Sequence, residues 1–417
     1  MKLFMSIDQI TRGHVIANCL EGRCTVQQAA LRLNLSRRRV QQLKKAFKEK
    51  GAVAMLHGNS QRPSAKKTSK EIEQRLLALR SDPALSKSNF LHFHEIVTEE
   101  YQLQLSYSTL RRILLSHGIY SPKKRRTRKK VHKTRNRRAC FGELLQVDAT
   151  PFPWFGGKEK SALHAFIDDA RGMITGLYLC KNECLLGYLE VLRQTLENYG
   201  LPAALYPDKC SVFFVNAKKQ LSIEEQLQGT KEQVTQFGKI IKYLGIDMFP
   251  AHSSQAKGRV ERLWQTLQSR LPVEFARRGI TTIEQANQFL KEYIGIFNKQ
   301  FGVPACDSYS MFVPTPKTLD LDKLLSSVIT RKLSSGSTIS IKNHLFKIEQ
   351  NKFAAGTTVN VLISQKHGIR ALIHDEFYPI VPLDDIYRTD TVGRTGDLPQ
   401  VVIDLIYEFL LKDAKAG

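Results

Sequence analysis

The longest stretch without a charged residue, Phe353 to Gln365, is 13 of the 417 residues. A membrane helix needs about 18 or more apolar residues in a row, so no transmembrane segment is expected. Met1 to Arg12 contains Asp8 and no apolar core, which argues against a secretory signal. The seven cysteines are odd in number and form no C-x-x-C pair. A zinc or disulfide framework is therefore not expected, and the chain reads as a reduced cytoplasmic protein. Gly156-Gly157-Lys158 lacks the spacing of a phosphate-binding P-loop, and no glycine-rich dinucleotide fingerprint occurs, so a nucleotide cofactor is not indicated. Acidic residues are also scarce at one end: residues 1 to 140 hold 9 acidic side chains against 31 basic ones.

That scarcity divides the chain. Of the net charge of +24, +22 falls in residues 1 to 140 and +2 in the rest. A polycationic arm on a nearly neutral body points to a polyanionic partner, nucleic acid. Within the arm, Thr25 to Leu33 reads as a short helix. Ser36 then caps a second helix, Arg37 to Lys50, with Val40, Leu43 and Phe47 on one face and Gly51 closing it. This is a helix-turn-helix spacing, placing Arg37, Arg38 and Arg39, with Lys44 further along, on the recognition helix. The plainer alternative is a three-helix bundle with a solvated basic face. The pattern recurs: Leu35-Ser36-x-x-x-Val40 is echoed by Leu105-Ser106-x-x-x-Leu110, with Ile113 and Leu114 on the apolar face and Arg111 and Arg112 beside it. Two units, 6–56 and 71–120, are expected, joined by a polar linker at 57–70. His92 and His94 precede the second, without a ligand cluster that would suggest metal. From Ser121 to Arg138, 11 of 18 residues are Lys or Arg and none is acidic. This basic linker, 121–140, including Lys123, Lys124, Arg125 and Arg126, is a strap for phosphates.

From Phe141 the pattern becomes that of strands. Three (143–150, 163–167, 173–180), a helix (183–199), a strand at 203–206, a helix ending near Leu244, a strand at 246–249 and a long helix starting near Ser253 follow the order of an RNase H-like fold. The expected architecture is multidomain: all-α helix-turn-helix units, an α/β RNase H-like catalytic core over 141–303 with a five-stranded mixed sheet and flanking helices, and a small C-terminal β-barrel. Asp148 lies on the first strand, Asp208 follows the fourth, and Glu261 lies on the long helix beside the buried stripe Val260, Leu263, Trp264 and Leu267. Adjacent first and fourth strands bring the two aspartates together, and the helix can carry Glu261 across them. Three such carboxylates repel unless they hold hard cations, for which Mg²⁺ or Mn²⁺, two ions, is the natural solution. Taken singly, each has a plainer reading as a turn, cap or solvated helix residue. Asp168 and Asp169 belong to the hairpin after the second strand, and Asp247 reads as structural.

The blocks Gly142-Glu143-Leu144-Leu145-Gln146-Val147-Asp148-Ala149-Thr150-Pro151, Leu205-Tyr206-Pro207-Asp208-Lys209-Cys210-Ser211-Val212-Phe213 and Ser253-Ser254-Gln255-Ala256-Lys257-Gly258-Arg259-Val260-Glu261-Arg262 resemble the catalytic blocks of bacterial DDE transposases with a retroviral-integrase-type core, most closely the ISNCY group of insertion sequences. The resemblance covers roughly residues 10 to 350. It implies Asp148, Asp208 and Glu261 as catalytic and metal-ligating residues. The family's second block usually has Ser before its Asp and His two residues after it, where this chain has Pro207 and Cys210. Lys257 and Arg259 are expected on phosphates.

The remainder reads as a helix near 283–298, short strands within 330–385 forming the barrel, and an amphipathic C-terminal helix within 396–413. The functional expectation is an insertion-sequence transposase. It binds the terminal inverted repeats of its element and target DNA as a homo-oligomer, near the nucleoid, without membrane. Water cleaves at the element end to free a 3′-OH, which attacks a target phosphodiester. The alternatives are a DNA-binding regulator with an inactive core and a nuclease acting on hybrids.

Overall fold

The computed structural model describes residues 6–56, 68–122, 136–215, 234–251, 257–342, 344–348, 353–364, 366–383 and 400–412. The chain forms two compact units that divide after Arg75.

The first unit holds α1 (Ile7–Leu20), α2 (Val26–Leu33) and α3 (Arg37–Lys50), closed by a 3₁₀ turn at Gly51–Met55. Ser6 and Thr25 each form a reciprocal capping box, and Ser36 accepts the Arg39 N–H. Such caps satisfy backbone donors that the first helical turn leaves open. Asn34 ends α2 in the left-handed region at φ 53, which reverses the chain within two residues of the next cap. Ile16, Ala29, Val40 and Met55 form the buried centre. These are the helices expected at 25–33 and 37–50.

The division falls within α4 (Lys70–Ser81). Beyond it come α5 (Pro83–Ser86), α6 (Phe90–Glu99) and α7 (Tyr107–Ser116). Asn89 and Ser106 cap the last two, and Leu110, Ile113 and Leu114 are buried as the apolar spacing predicts. Arg80 is buried yet satisfied: one guanidinium nitrogen donates to Leu85 O, Ser88 O and Ser88 Oγ, and the group lies over the rings of Phe90 and Phe93.

The central sheet contains β1 (Leu145–Phe152), β2 (Ser161–Asp168), β3 (Ile174–Cys180), β4 (Ala204–Tyr206) and β5 (Asp247–Met248) in the order β3-β2-β1-β4-β5. The first three strands are antiparallel; β4 and β5 run parallel to β1. Side chains alternate across β2, and both faces are covered. Leu163, Ala165 and Ile167 pack with α10 (Gly258–Arg278) and α11 (Ile283–Phe301). Phe166, with Leu145 and Val147 of β1, packs with α8 (Leu185–Asn198) and α9 (Gln236–Tyr243). Gly142 leads into β1 at φ 82. A Cβ there would lie 2.4 Å from the Phe312 ring, so only glycine fits.

After α12 (Leu321–Leu324), a six-stranded sheet forms from β6 (Ser327–Lys332), β7 (Thr338–Ile341), β8 (His344–Ile348), β9 (Thr358–Ser364), β10 (Gly368–Ile373) and β11 (Glu376–Pro382), in the order β6-β9-β10-β11-β8-β7. Arg331 on one end strand donates to Ser340 O on the other at 3.0 Å, so the sheet nearly closes into a barrel. Four of its strands were expected; β6 and β11 were not. The two prolines of β11 read against a strand, and Ser-Val-Ile-Thr-Arg-Lys has too few apolar positions to mark β6. The C-terminal helix α13 (Gln400–Ile406) ends in a π turn, Tyr407–Leu411, and buries Leu405 and Ile406 in the same cluster as the barrel interior. Among the described residues, no helix is long and apolar enough to cross a membrane.

Candidate active site

Parallel pairing fixes the relation of the first two acidic residues. Leu145 pairs with Leu205 and Gln146 with Tyr206. Carried two residues further, the same register sets Asp148 level with Asp208, just past the carboxyl end of β4. Asp208 Oδ1 is buried without a hydrogen-bond partner among the described residues. Tyr188 of α8 is fully buried nearby and donates its hydroxyl to Glu183 Oε1 at 2.8 Å. Burial, then the charges of Glu183, Asp148 and Asp208, hold this phenol well above its ordinary range. The Cys210 thiol is likewise raised, by burial first and by Glu183 and Asp208. Glu183 thus adds a fourth acidic group to this neighbourhood.

The start of α10 is clamped to β1. Gln146 is fully buried; its Nε2 donates to Asp169 Oδ1 at 2.8 Å, and its Oε1 accepts the Val260 N–H at 3.1 Å. Arg259 Nε donates to the same Asp169 oxygen at 3.0 Å. This fixes the helix so that Lys257 Nζ lies 2.9 Å from Asp148 Oδ1 and Trp264 Nε1 lies 2.7 Å from Asp148 Oδ2. The Lys257 side chain is only 8% exposed. Lys257, Glu261, Trp264 and Gln268 follow one another at spacings of four, three and four, and so share one helix face. Gln268 reaches Thr150 Oγ1 at 3.4 Å. Glu261 stands between two residues that both hold Asp148, but it is exposed. Among the described residues, no group of three or more His, Cys, Asp or Glu lies close enough to hold a metal ion. Continuation of the register would bring the two aspartates level, while Glu261 is exposed, and the three-carboxylate convergence expected from sequence is not formed among the described residues.

The other expected residues take varied positions. Arg37, Arg38 and Arg39 are exposed in the first turn of α3, and Arg111 and Arg112 are exposed on α7. Lys44 is turned inward, donating to Cys19 O at 2.9 Å. Lys257 and Arg259 face carboxylates in place of open solvent. Lys123, Lys124, Arg125 and Arg126 lie outside the described residues. Asp168 and Asp169 are more than turn residues. Both are fully buried; Asp168 accepts the Gly142 and Arg171 N–H groups, and Asp169 Oδ2 accepts that of Arg138. Asp247 lies within β5 and is exposed. His92 Nε2 meets Glu274 Oε1 at 2.7 Å and His94 Nε2 meets Leu105 O, so both are taken up in packing. Sequence reasoning missed Gln146, Glu183, Tyr188 and the Asp148 contact of Trp264. The one signal was a Gln on an otherwise apolar strand end.

Residues 12–74 match a family model described as winged helix-turn helix. Among known proteins, the chain is 37% identical to a transposase for insertion sequence IS1202 of Streptococcus pneumoniae, over 87% of this chain and 84% of that one. It is 32% identical to the putative transposase y4bF of Sinorhizobium fredii, over 84% and 75%. The chain belongs to the insertion-sequence transposases. Among solved structures, the transposase overlaps the simian T-cell lymphotropic virus intasome in complex with PP2A regulatory subunit B56 gamma. That match has 14% identity, covers 68% of this chain and 90% of that one, and has a TM-score of 0.30. It also overlaps the HTLV-2 integrase catalytic core domain in complex with magnesium, with 15% identity, 36% and 82% coverage and a TM-score of 0.25. Scores this low carry no weight for fold or chemistry.

Two outcomes follow from the clamp. Gln146→Leu strands the buried Val260 N–H and removes a donor from Asp169; urea unfolding should show a loss of about 2–4 kcal/mol. A value within about 0.5 kcal/mol of wild type would remove the clamp from the account. Burial pushes Asp168 up from 3.8 to about 6, against the pull of its backbone donors. The folded protein then holds a proton that the unfolded chain releases. Stability from this group is greatest below the unfolded pKa and falls as pH rises through about 6. Asp168→Asn should abolish that fall, which amounts to about 3 kcal/mol between roughly pH 4 and pH 6. Parallel profiles for the two proteins would contradict this.

Proposed function

We propose that the transposase cuts and joins DNA at the Asp148–Asp208 pair, with Glu261 as third acidic residue, on an RNase H-like core of the DDE type. What supports this is the parallel pairing of Leu145 with Leu205 and Gln146 with Tyr206, whose continuation would bring Asp148 level with Asp208, and the buried Asp208 Oδ1 that has no hydrogen-bond partner among the described residues. A buried carboxylate oxygen without a donor beside a second carboxylate is costly, and a bound cation is one way to offset that cost. Hard carboxylate oxygens suit Mg²⁺ or Mn²⁺. Asp148 and Asp208 would hold one ion, and Glu261 with either aspartate a second. Bound there, such ions supply positive charge to the attacking and leaving oxygens of an in-line phosphoryl displacement.

The chain's own groups do the rest. Trp264 orients Asp148 through its indole N–H, and Gln146 holds the helix that carries Glu261 over it. Lys257 supplies a cation to Asp148; released from it, the ammonium is placed to meet a phosphate oxygen. Water attacks the phosphodiester at the element end and frees a 3′-OH. That hydroxyl attacks a target phosphodiester, forming one P–O bond as another breaks. No covalent enzyme intermediate is required.

Duplex DNA is held by the helix-turn-helix units proposed at 6–56 and 71–120 through Arg37, Arg38, Arg39, Arg111 and Arg112. Phosphate contacts come from the basic linker at 121–140 with Lys123, Lys124, Arg125 and Arg126, and from Lys257 once it leaves Asp148; Lys44 and Arg259 are already held by Cys19 O and Asp169. The core is proposed to span 141–303; the barrel begins with β6 at Ser327 and α13 follows it. Joining two element ends calls for a homo-oligomer assembled on the terminal inverted repeats and target, at the bacterial nucleoid.

Purified protein should nick a labelled element end in Mg²⁺ or Mn²⁺, with Asp148→Asn reducing the rate at least a hundredfold while leaving DNA affinity unchanged. If wild type nicks no faster than Asp148→Asn while both bind equally, the protein acts as a DNA-binding regulator.

A further inference from the structure

Helix α10 carries a second functional flank. Its Asp148-facing side is the row Lys257, Glu261, Trp264 and Gln268. On the opposite side, Arg259 and Arg262 lie three residues apart and form one ridge. That ridge is one wall of a cleft of about 230 Å³ closed by Phe297 and Phe301 of α11 and by Arg137 beside Gly172 of the β2–β3 turn.

The charge of this cleft is a net surplus. Beneath it, Asp169 is matched by Arg259, with further donors from Gln146 and the Arg138 N–H. Asp168 accepts the N–H groups of Gly142 and Arg171. Against these two acids stand three guanidinium groups, Arg259, Arg137 and Arg262, a surplus of one positive charge. Arg137 spends one nitrogen on Ala170 O at 2.9 Å, which fixes its position and leaves other donors of the fork in reach of the cleft. Gly172, at φ 66, makes room for it: an added Cβ would lie 3.3 Å from the Arg137 guanidinium. Arg262 is exposed. The rings of Phe297 and Phe301, 4.7 Å apart, form an apolar wall. Fixed guanidinium forks beside an apolar wall suit a phosphate with its attached sugar.

We infer that this cleft binds a backbone phosphate of the same DNA strand that is cut at Asp148. The two flanks are separated by the width of a helix, about 10–12 Å. At roughly 3.4 Å of rise per nucleotide, the bound phosphate lies about three nucleotides from the reacting one. The contact sets the strand's register across α10 and is independent of sequence. It rests on the reading of Asp148 as the site of chemistry on DNA.

Two measurements test it, both in EDTA so that no cutting occurs. In the first, an arbitrary duplex is titrated by fluorescence anisotropy from about 50 to about 200 mM NaCl. Arg137→Gln and Arg262→Gln should each reduce the slope of log affinity against log salt by about 0.9, and together by about 1.8. Lys242→Gln, at an exposed position on α9, should leave the slope unchanged. Slopes equal to wild type in both arginine variants overturn the inference. In the second, single methylphosphonates are walked along an element-end duplex. A neutral linkage about three nucleotides from the cleaved bond should weaken wild type about threefold and leave the double variant unaffected. An identical scan for both proteins overturns it. Failure of wild type to bind any duplex would bring down the functional reading as well; binding with unaltered slopes would bring down the cleft alone.

Discussion

One buried amide organises the catalytic half of this molecule. Gln146 gives its N–H to Asp169 and takes the N–H of Val260, so a strand, a turn and the start of a long helix are tied at a single point. Inside a low-dielectric interior such bonds are strong while complete and expensive when broken. Two residues further along the same strand face, Asp148 meets Lys257 and Trp264 because the helix has already been placed. The positions of Glu261 on one flank of that helix and of Arg262 on the other follow from the same anchor.

A second theme is how buried negative charge is matched. Asp169 has Arg259, Asp148 has Lys257, Glu95 has Arg270, and Glu274 has His92 with Arg277 and Arg278. Around Asp208, Glu183 and Tyr188 acid stands near acid, and burial first, then these charges, holds Tyr188 and Cys210 above their ordinary range. On the proposed reading, the Asp208 oxygen that has no hydrogen-bond partner among the described residues is where a cation would bind. The location, outside the carboxyl end of a parallel strand covered on both faces, is where an open α/β sheet leaves room for a ligand.

Much of this was legible in the residue order. The caps at Ser36 and Ser106, the buried stripe from Val260 to Leu267 and the alternation in β7 to β10 are local patterns, and local patterns survive folding. What could not be read depended on distant partners. Gln146 bonds to groups 23 and 114 residues away. Lys257 and Arg259 looked like phosphate ligands because a helical wheel gives a direction without saying what stands opposite; each faces an aspartate. Lys44 looked like part of a recognition surface and caps a carbonyl of its own unit. Asp168 and Asp169 looked like hairpin residues, and their burial, which makes them anchors, shows only once the sheet is built.

The central claim is that Asp148 and Asp208 form one cation site, and calorimetric titration of the DNA-free protein with Mn²⁺ addresses it most directly. The account predicts a binding isotherm for wild type that both Asp148→Asn and Asp208→Asn abolish or weaken at least tenfold. Variants that bind Mn²⁺ as wild type does would contradict it.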